Sequence, residues 1–266
     1  VPFGAVQLSP DTRAGNWDAC SGYHYNDTTL KGFSHTHLSG TGCIDLGDIL
    51  FRPTTLKPDL TTESIYQPAA FSHKDEDASA GYYSVVLKEE GIKAELTVTA
   101  HAGMHRYTFP SGKEASIIID LTHLLDNEYI YEAELEQTAA NEITGMRRTR
   151  GWTDNQYVYF VAQFSKPFQA IDFIQNKKMV SAGVKLNGTD LQACLSFDNS
   201  NGEPVIAKVG LSIVSEKNAR ENLETEVIGF DFDAVRSAAR SAWEQALSAI
   251  TVKGGNTDDL KNFYTA

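Results

Sequence analysis

The sequence has little that would crosslink it, anchor it in a membrane or hold it to nucleic acid. Three cysteines in 266 residues, Cys20, Cys43 and Cys194, are an odd number with no C-x-x-C spacing. That argues against a disulfide framework and against a structural zinc site, and leaves room for one bridge at most. No apolar run reaches the roughly 20 residues a membrane-spanning helix needs, and no signal peptide is visible. Basic residues are scarce: 23 Lys and Arg stand against 35 Asp and Glu, a formal net charge of −12. Phosphate binding needs clustered cations, so nucleic acid is excluded as a partner, and an anionic bilayer exerts no attraction. A neutral ligand such as a sugar, or a cation, suits this balance, although a solvated acidic surface is the commoner cause of it. No internal repeat or low-complexity segment occurs.

What is present favours β structure. Eleven Tyr and thirteen Phe suit sheets or a stacking site, and the length allows one large β domain or two ordinary ones. The first sixty residues are rich in Gly, Thr and Asp and read as loops laid over a scaffold. From about residue 82 short segments alternate apolar and polar residues: "YYSVVLKE", "IKAELTVTA", "HRYTF", "ASIIID", "YIYEAELEQ", "QYVYFVAQF", "LQACLSF" and "VIAKVGLSIV". Gly, Asn, Asp and Pro clusters separate them, so the pattern predicts a large antiparallel β-sandwich.

Near residue 215 the period changes. "SEKNARENLE" reads as a helix capped by Ser215. "DFDAVRSAARSAWEQALSAI" reads as an amphipathic helix capped by Asp231, with Phe232, Val235, Ala239, Ala242, Trp243, Ala246 and Ile250 on one face. After Gly254 and Gly255 a third helix is expected with Thr257 as its cap and Leu260, Phe263 and Tyr264 on one side. The expected division is a sandwich over 1–214, linker helices over 215–252, and the start of a further domain over 253–266. "VPFGAVQLSP" opens in what reads as a strand, and the last helix stops within its apolar face. Both ends predict a piece of a longer polypeptide.

Four groups of residues invite a chemical role. His35 and His37 in "SHTHLSG" would share one side if they lay on a strand. A metal site would need a third ligand or a carboxylate nearby, and none comes before Asp45, so hydrogen-bonding histidines in a polar loop are expected. Asp45 and Asp48, flanking Gly47, read as a turn more than as a catalytic pair, which would lie across a cleft. Ser21, Ser34 and Ser39 lie near histidines but outside any G-x-S-x-G, against a serine hydrolase. In "GNWDACSGYHY" Trp17 sits in a Gly/Asn/Asp loop; an indole there either stacks on a sugar ring whose hydroxyls reach Asp18, Ser21 and His24, or caps the core.

"VPFGAVQLSPDT", "GNWDACSGYHYNDTTLKGFSHTHLSGTGCIDLGDILFRP" and "RRTRGWTDNQYVYFVAQFSKPF" resemble the N-terminal domain of glycoside hydrolase family 92, calcium-dependent exo-acting α-mannosidases. The resemblance covers essentially the whole chain. It implies a galactose-mutarotase-like supersandwich joined by linker helices to an (α/α)6 barrel, with the active site between the two. The acid, the base and most of the calcium site would belong to the barrel, so the catalytic carboxylates would lie outside this chain, as would the "NPFIGT"-like strand that usually precedes "PFG". The implied substrate-binding residues are Trp17, Asp18, Cys20, Ser21, Tyr23 and His24. Ser34, His35, His37, Ser39, Asp45 and Asp48 would shape or support the pocket and domain interface, with no metal ligand here. The implied partners are mannose-containing glycans and the chain's own barrel; the implied setting is secreted, periplasmic or cell-surface. A stand-alone carbohydrate-binding module and an interaction domain that docks its apolar helix face are the alternatives.

Overall fold

The computed structural model describes residues 1–15, 20–38, 42–56, 67–125, 129–180 and 185–265. In chain order the strands are β1 (Ser9–Asp11), β2 (Thr29–Leu30), β3 (Gly32–Ser34), β4 (Leu50–Thr54), β5 (Ala69–Ala70), β6 (Glu76–Ser79), β7 (Tyr82–Leu87), β8 (Ile92–Val98) and β9 (Ala102–Thr108). They continue with β10 (Ala115–Asp120), β11 (Tyr129–Ala139), β12 (Glu142–Arg150), β13 (Gln156–Phe164), β14 (Ala170–Gln175), β15 (Lys178–Val180), β16 (Leu186–Gly188), β17 (Leu191–Phe197) and β18 (Val205–Ser212). Helices α1 (Glu216–Glu226), α2 (Phe232–Leu247) and α3 (Thr257–Thr265) follow.

The strands form two large sheets and a small one, all with antiparallel pairing among the described residues. The seven-stranded sheet runs β1-β3-β4-β10-β17-β14-β15, and the nine-stranded sheet β16-β11-β12-β13-β18-β9-β8-β7-β6. Period-two alternation sends one set of side chains into the space between them. On β10, Ile117 and Ile119 join the main core, while Ile118 turns outward to Ile174 and Cys194. On β13, Val158, Phe160, Ala162 and Phe164 face inward beside Phe33, Phe51 and Phe173. The sandwich expected from the sequence is therefore present.

The strands that escaped the sequence pattern have identifiable reasons. β4 carries Arg52 and Pro53, yet all five of its residues are buried; the first sixty residues are not only loops. β12 is interrupted by Gly145 and carries three arginines, so its apolar period is broken. Gly145 is required there because a Cβ would stand 2.3 Å from the Glu134 carbonyl oxygen. The opening "VPFGAVQL" is not strand; pairing begins at Ser9.

Helices α1 and α2 pack on the outer face of the nine-stranded sheet. Ala219, Leu223 and Val227 meet Ala102, Met104 and Val161. Gly210 lets α1 approach, since a Cβ there would lie 2.6 Å from that of Leu223. Ser215 accepts from the Asn218 amide and Asp231 from the Ala234 amide, as N-caps do. The cap of α3 is corrected: the Asn256 side-chain oxygen, not Thr257, accepts from the amides of Asp258 and Asp259. Phe232 and Ala239 are the buried residues of α2, and Arg236 lies 3.4 Å over the Tyr82 ring. Tyr264 turns back to donate to the Ile250 carbonyl, leaving Phe263 exposed.

Candidate functional site: buried charges beneath converging loops

Loops following β1, β3, β10 and β12 converge, because polar side chains buried beneath them find partners far away in sequence. Asp11, at the end of β1, is fully buried and accepts from two histidines. His37 Nε2 lies 2.7 Å from its Oδ1, and His123 Nε2 lies 2.8 Å from its Oδ2. His37 Nδ1 lies 2.6 Å from the Gln7 carbonyl oxygen. Both ring nitrogens of His37 thus face acceptors, which only an imidazolium satisfies. Ser34 Oγ stands 3.1 Å from the same Nε2.

The electrostatics agree with that assignment. Burial would lower the His37 pKa, but the Asp11 charge and the hydrogen bonds to Asp11 and Gln7 outweigh it and raise it. Burial would push the Asp11 carboxyl up, yet the His37 charge and the hydrogen bonds from His123 and His37 hold it well below the usual carboxylate range. Gly22 is required beside the pair. Its φ is +73°, and a Cβ there would lie 2.1 Å from Asp11 Oδ1.

His35, two residues earlier, lies in a different environment. Its Nδ1 donates to the Ile49 carbonyl at 2.7 Å, which leaves Nε2 as an acceptor. His105 Nε2 stands 3.0 Å away and donates to it. His105 Nδ1 then accepts from the Tyr107 hydroxyl at 2.7 Å. Burial keeps both rings neutral, and with neutral rings the proton order along this chain is fixed. Burial lowers the His35 pKa to about 4, and burial followed by the neighbouring His35 takes His105 well below its ordinary value. Both histidines are hydrogen-bonded, as expected, but the strand on which they would share one side is absent. β3 ends at Ser34, so the chain is already turning, and the rings diverge into separate buried networks instead of lining a polar loop.

Asp48 anchors a third network. Fully buried Arg147 projects inward from β12; its Nε lies 2.9 Å and its Nη2 2.7 Å from Asp48 Oδ1. Its Nη1 donates to the His123 carbonyl. Asp48 Oδ2 accepts from Thr36 Oγ1 at 2.7 Å and Gln156 Nε2 at 2.9 Å. Asp45 accepts from the amides of Leu46 and Trp152, and Gly151 makes room for its carboxylate. Leu46, Gly47 and Ile49 all have positive φ. The two aspartates therefore do more than shape a turn: they tie the 35–49 loop to β12 and to the loop after it.

The remaining candidate residues divide as follows. Trp17, Asp18 and Ser39 lie outside the described residues. His24 serves its own turn, its amide donating to Thr12 Oγ1 and its Nδ1 accepting from the Asn26 amide. Tyr23 donates to Glu76 Oε2 at 3.1 Å, and Ser21 and Tyr23 line one pocket. Cys20 is half-buried. Asp11, His105, His123, Arg147 and Gln156 were not singled out from the sequence. Among the described residues no group of three or more His, Cys, Asp or Glu is placed to hold a metal ion. Asp11 and Asp48 have their oxygens committed to N–H and O–H donors, so this donor set does not fit calcium, which wants six to eight oxygens.

Comparison with known proteins places this sandwich and its trailing helices among the glycoside hydrolases. Residues 1–212 match the N-terminal domain of glycosyl hydrolase family 92, and residues 218–266 match part of that family's catalytic domain, so the chain belongs to family 92. It is 39% identical to the GH92 alpha-mannosidase BT3965 from Bacteroides thetaiotaomicron, with a TM-score of 0.90 over 96% of this chain and 35% of that one. The GH92 family glycosyl hydrolase ccman5 is 27% identical, with a TM-score of 0.85 over 99% of this chain and 37% of that one. An Arthroderma benhamiae protein named an uncharacterized secreted glycosidase is 29% identical; the match spans 100% of this chain and 38% of that protein. The chain thus spans little more than a third of the length of these relatives.

Proposed function

We propose that this chain is the N-terminal, non-catalytic half of an exo-acting, inverting α-mannosidase that removes terminal α-linked mannose from glycans. The observation that carries the reading is the state of the buried carboxylates within a family 92 chain. Asp11 and Asp48 are neutralised by His37 and Arg147, and Asp45 is held by backbone amides. Each therefore serves to fix a loop. An inverting hydrolysis needs one carboxyl to protonate the leaving group and another to activate water; these we assign to the catalytic domain. Calcium we assign there too, since the oxygens of Asp11, Asp45 and Asp48 are already engaged.

In this reading the loops carrying Trp17, Asp18, Cys20, Ser21, Tyr23 and His24 form one wall of the sugar pocket. The loop from Ser34 through Ser39 to Asp48 supports it against the barrel. Secretion is proposed from the Arthroderma benhamiae relative's name, and among the described residues no helix is long and apolar enough to cross a membrane.

The test compares this chain with a polypeptide extended through the catalytic domain, both assayed on α-mannosides. The extended protein should hydrolyse them and this chain should not; activity of this chain alone would overturn the assignment. In the extended protein Trp17→Ala should lower kcat/KM by about tenfold or more, an effect of stacking size, and an unchanged value would remove Trp17 from the site.

A further inference from the structure

A pocket of about 580 Å³ opens at the side of the sandwich, where edge strands β1 and β6 each end a sheet. Tyr25 lines it and is 66% exposed, unusual for an aromatic ring held so firmly. One face of the ring stacks on His73, with centroids 4.2 Å apart and planes within 8°. His73 is itself fixed at both nitrogens: Nδ1 lies 2.5 Å from Glu76 Oε2, and Nε2 lies 2.5 Å from the Tyr25 carbonyl oxygen. Phe71 meets the same imidazole edge-on. The outer face of Tyr25 is thus a rigid apolar plate whose ordering cost is already met by the fold.

The pocket floor is polar and electrically neutral. Glu76 accepts from Tyr83 at 2.7 Å and Tyr23 at 3.1 Å, while His73 balances its charge. The hydrogen bond to Glu76 is the main cause that raises the His73 pKa. Each tyrosine oxygen still has acceptor capacity, and the Ser9 and Ser21 hydroxyls line the same wall. A flat apolar plate facing hydroxyls, with no uncompensated charge, suits a neutral ring that has C–H faces and hydroxyl edges.

We propose that this pocket, which shares Ser21 and Tyr23 with the sugar-binding wall proposed above and extends it to Tyr25 and Tyr83, binds a neutral pyranose, with its C–H face on Tyr25 and its hydroxyls on Ser21, Tyr23 and Tyr83. The polyol chemistry stands on the pocket itself; that the polyol is a sugar rests on the glycan reading above.

The experiment is a titration of methyl α-D-mannopyranoside, and separately of methyl α-D-glucopyranoside, into this chain, followed by 1H–15N NMR. Saturable shifts at the amides of Ser9, Ser21, Tyr25 and Glu76 are expected with at least one of the two. Tyr25→Ala, at an exposed position, should weaken binding about tenfold, and Tyr25→Phe should retain it. No saturable shift with either sugar, or unchanged affinity in Tyr25→Ala, overturns the proposal. The two readings fail separately. An extended protein inactive on α-mannosides, beside a chain that still binds sugar, removes the mannosidase and keeps the pocket; an active extended protein beside a chain that binds neither sugar does the reverse.

Discussion

His35 and His37 stand two residues apart, both buried, and they are held in opposite charge states. His35 faces Phe51 and His105 in the interior, where no carboxylate contacts it. His37 faces Asp11. Burial disfavours the charged form of both rings, so the difference comes from the partner: a buried carboxylate at 2.7 Å outweighs desolvation, and an imidazole does not. The lesson extends to the rest of the buried polar set. Where a loop must be clamped, the fold supplies a charge pair, as in Asp48–Arg147; where strands pack face to face, it supplies a directed chain of neutral groups.

The comparison is broken hardest by removing the counter-charge. Asp11→Ala leaves His37 buried without a carboxylate and should cost about 3–5 kcal/mol, read as a lower urea midpoint. His105→Leu should cost less, about 2–3 kcal/mol in all, because the two groups it orphans are neutral and sit at the lower end of the range for an unsatisfied buried polar group. It strips the donor from His35 Nε2 and the acceptor from the Tyr107 hydroxyl. Equal losses in the two variants would mean that charge state does not separate these sites.

A smaller and more selective effect comes from pH. The folded pKa values of His35 and His105 are depressed, so the unfolded chain binds protons that the folded chain refuses. Their stabilisation is complete above the unfolded value of about 6.5 and falls as pH drops towards 4, by about 1.4 kcal/mol per pH unit for each histidine. His37 is raised, so its contribution is complete below about 6.5 and is lost as pH rises through its folded value. Denaturation between pH 7 and 4 should therefore show stability falling with acidification, with a shallower slope in His105→Leu.

The sandwich was legible in the sequence wherever a strand alternates cleanly. β10, β13 and β17 coincide with "ASIIID", "QYVYFVAQF" and "LQACLSF". It was illegible where tertiary demands override the pattern, as in β4 with its Arg-Pro pair and β12 with its inward Arg147. The helix caps were readable at Ser215 and Asp231 because capping is local, and the same rule misplaced the third cap by one residue. The candidate site was half visible. "SHTH" attracted attention, but its partners have no local signature: Asp11 lies 26 residues from His37, His123 112 residues from Asp11, and Arg147 99 residues from Asp48. An arginine in the same register as inward-facing Ile143 is the one sequence signal that could have exposed the last of these.

The most direct measurement is long-range 1H–15N NMR of the imidazole side chains at neutral pH. It should show His37 protonated at both nitrogens, His35 protonated only at Nδ1 and His105 only at Nε2. A neutral His37, or a His35 that titrates near 6.5 like a free imidazole, would contradict the account.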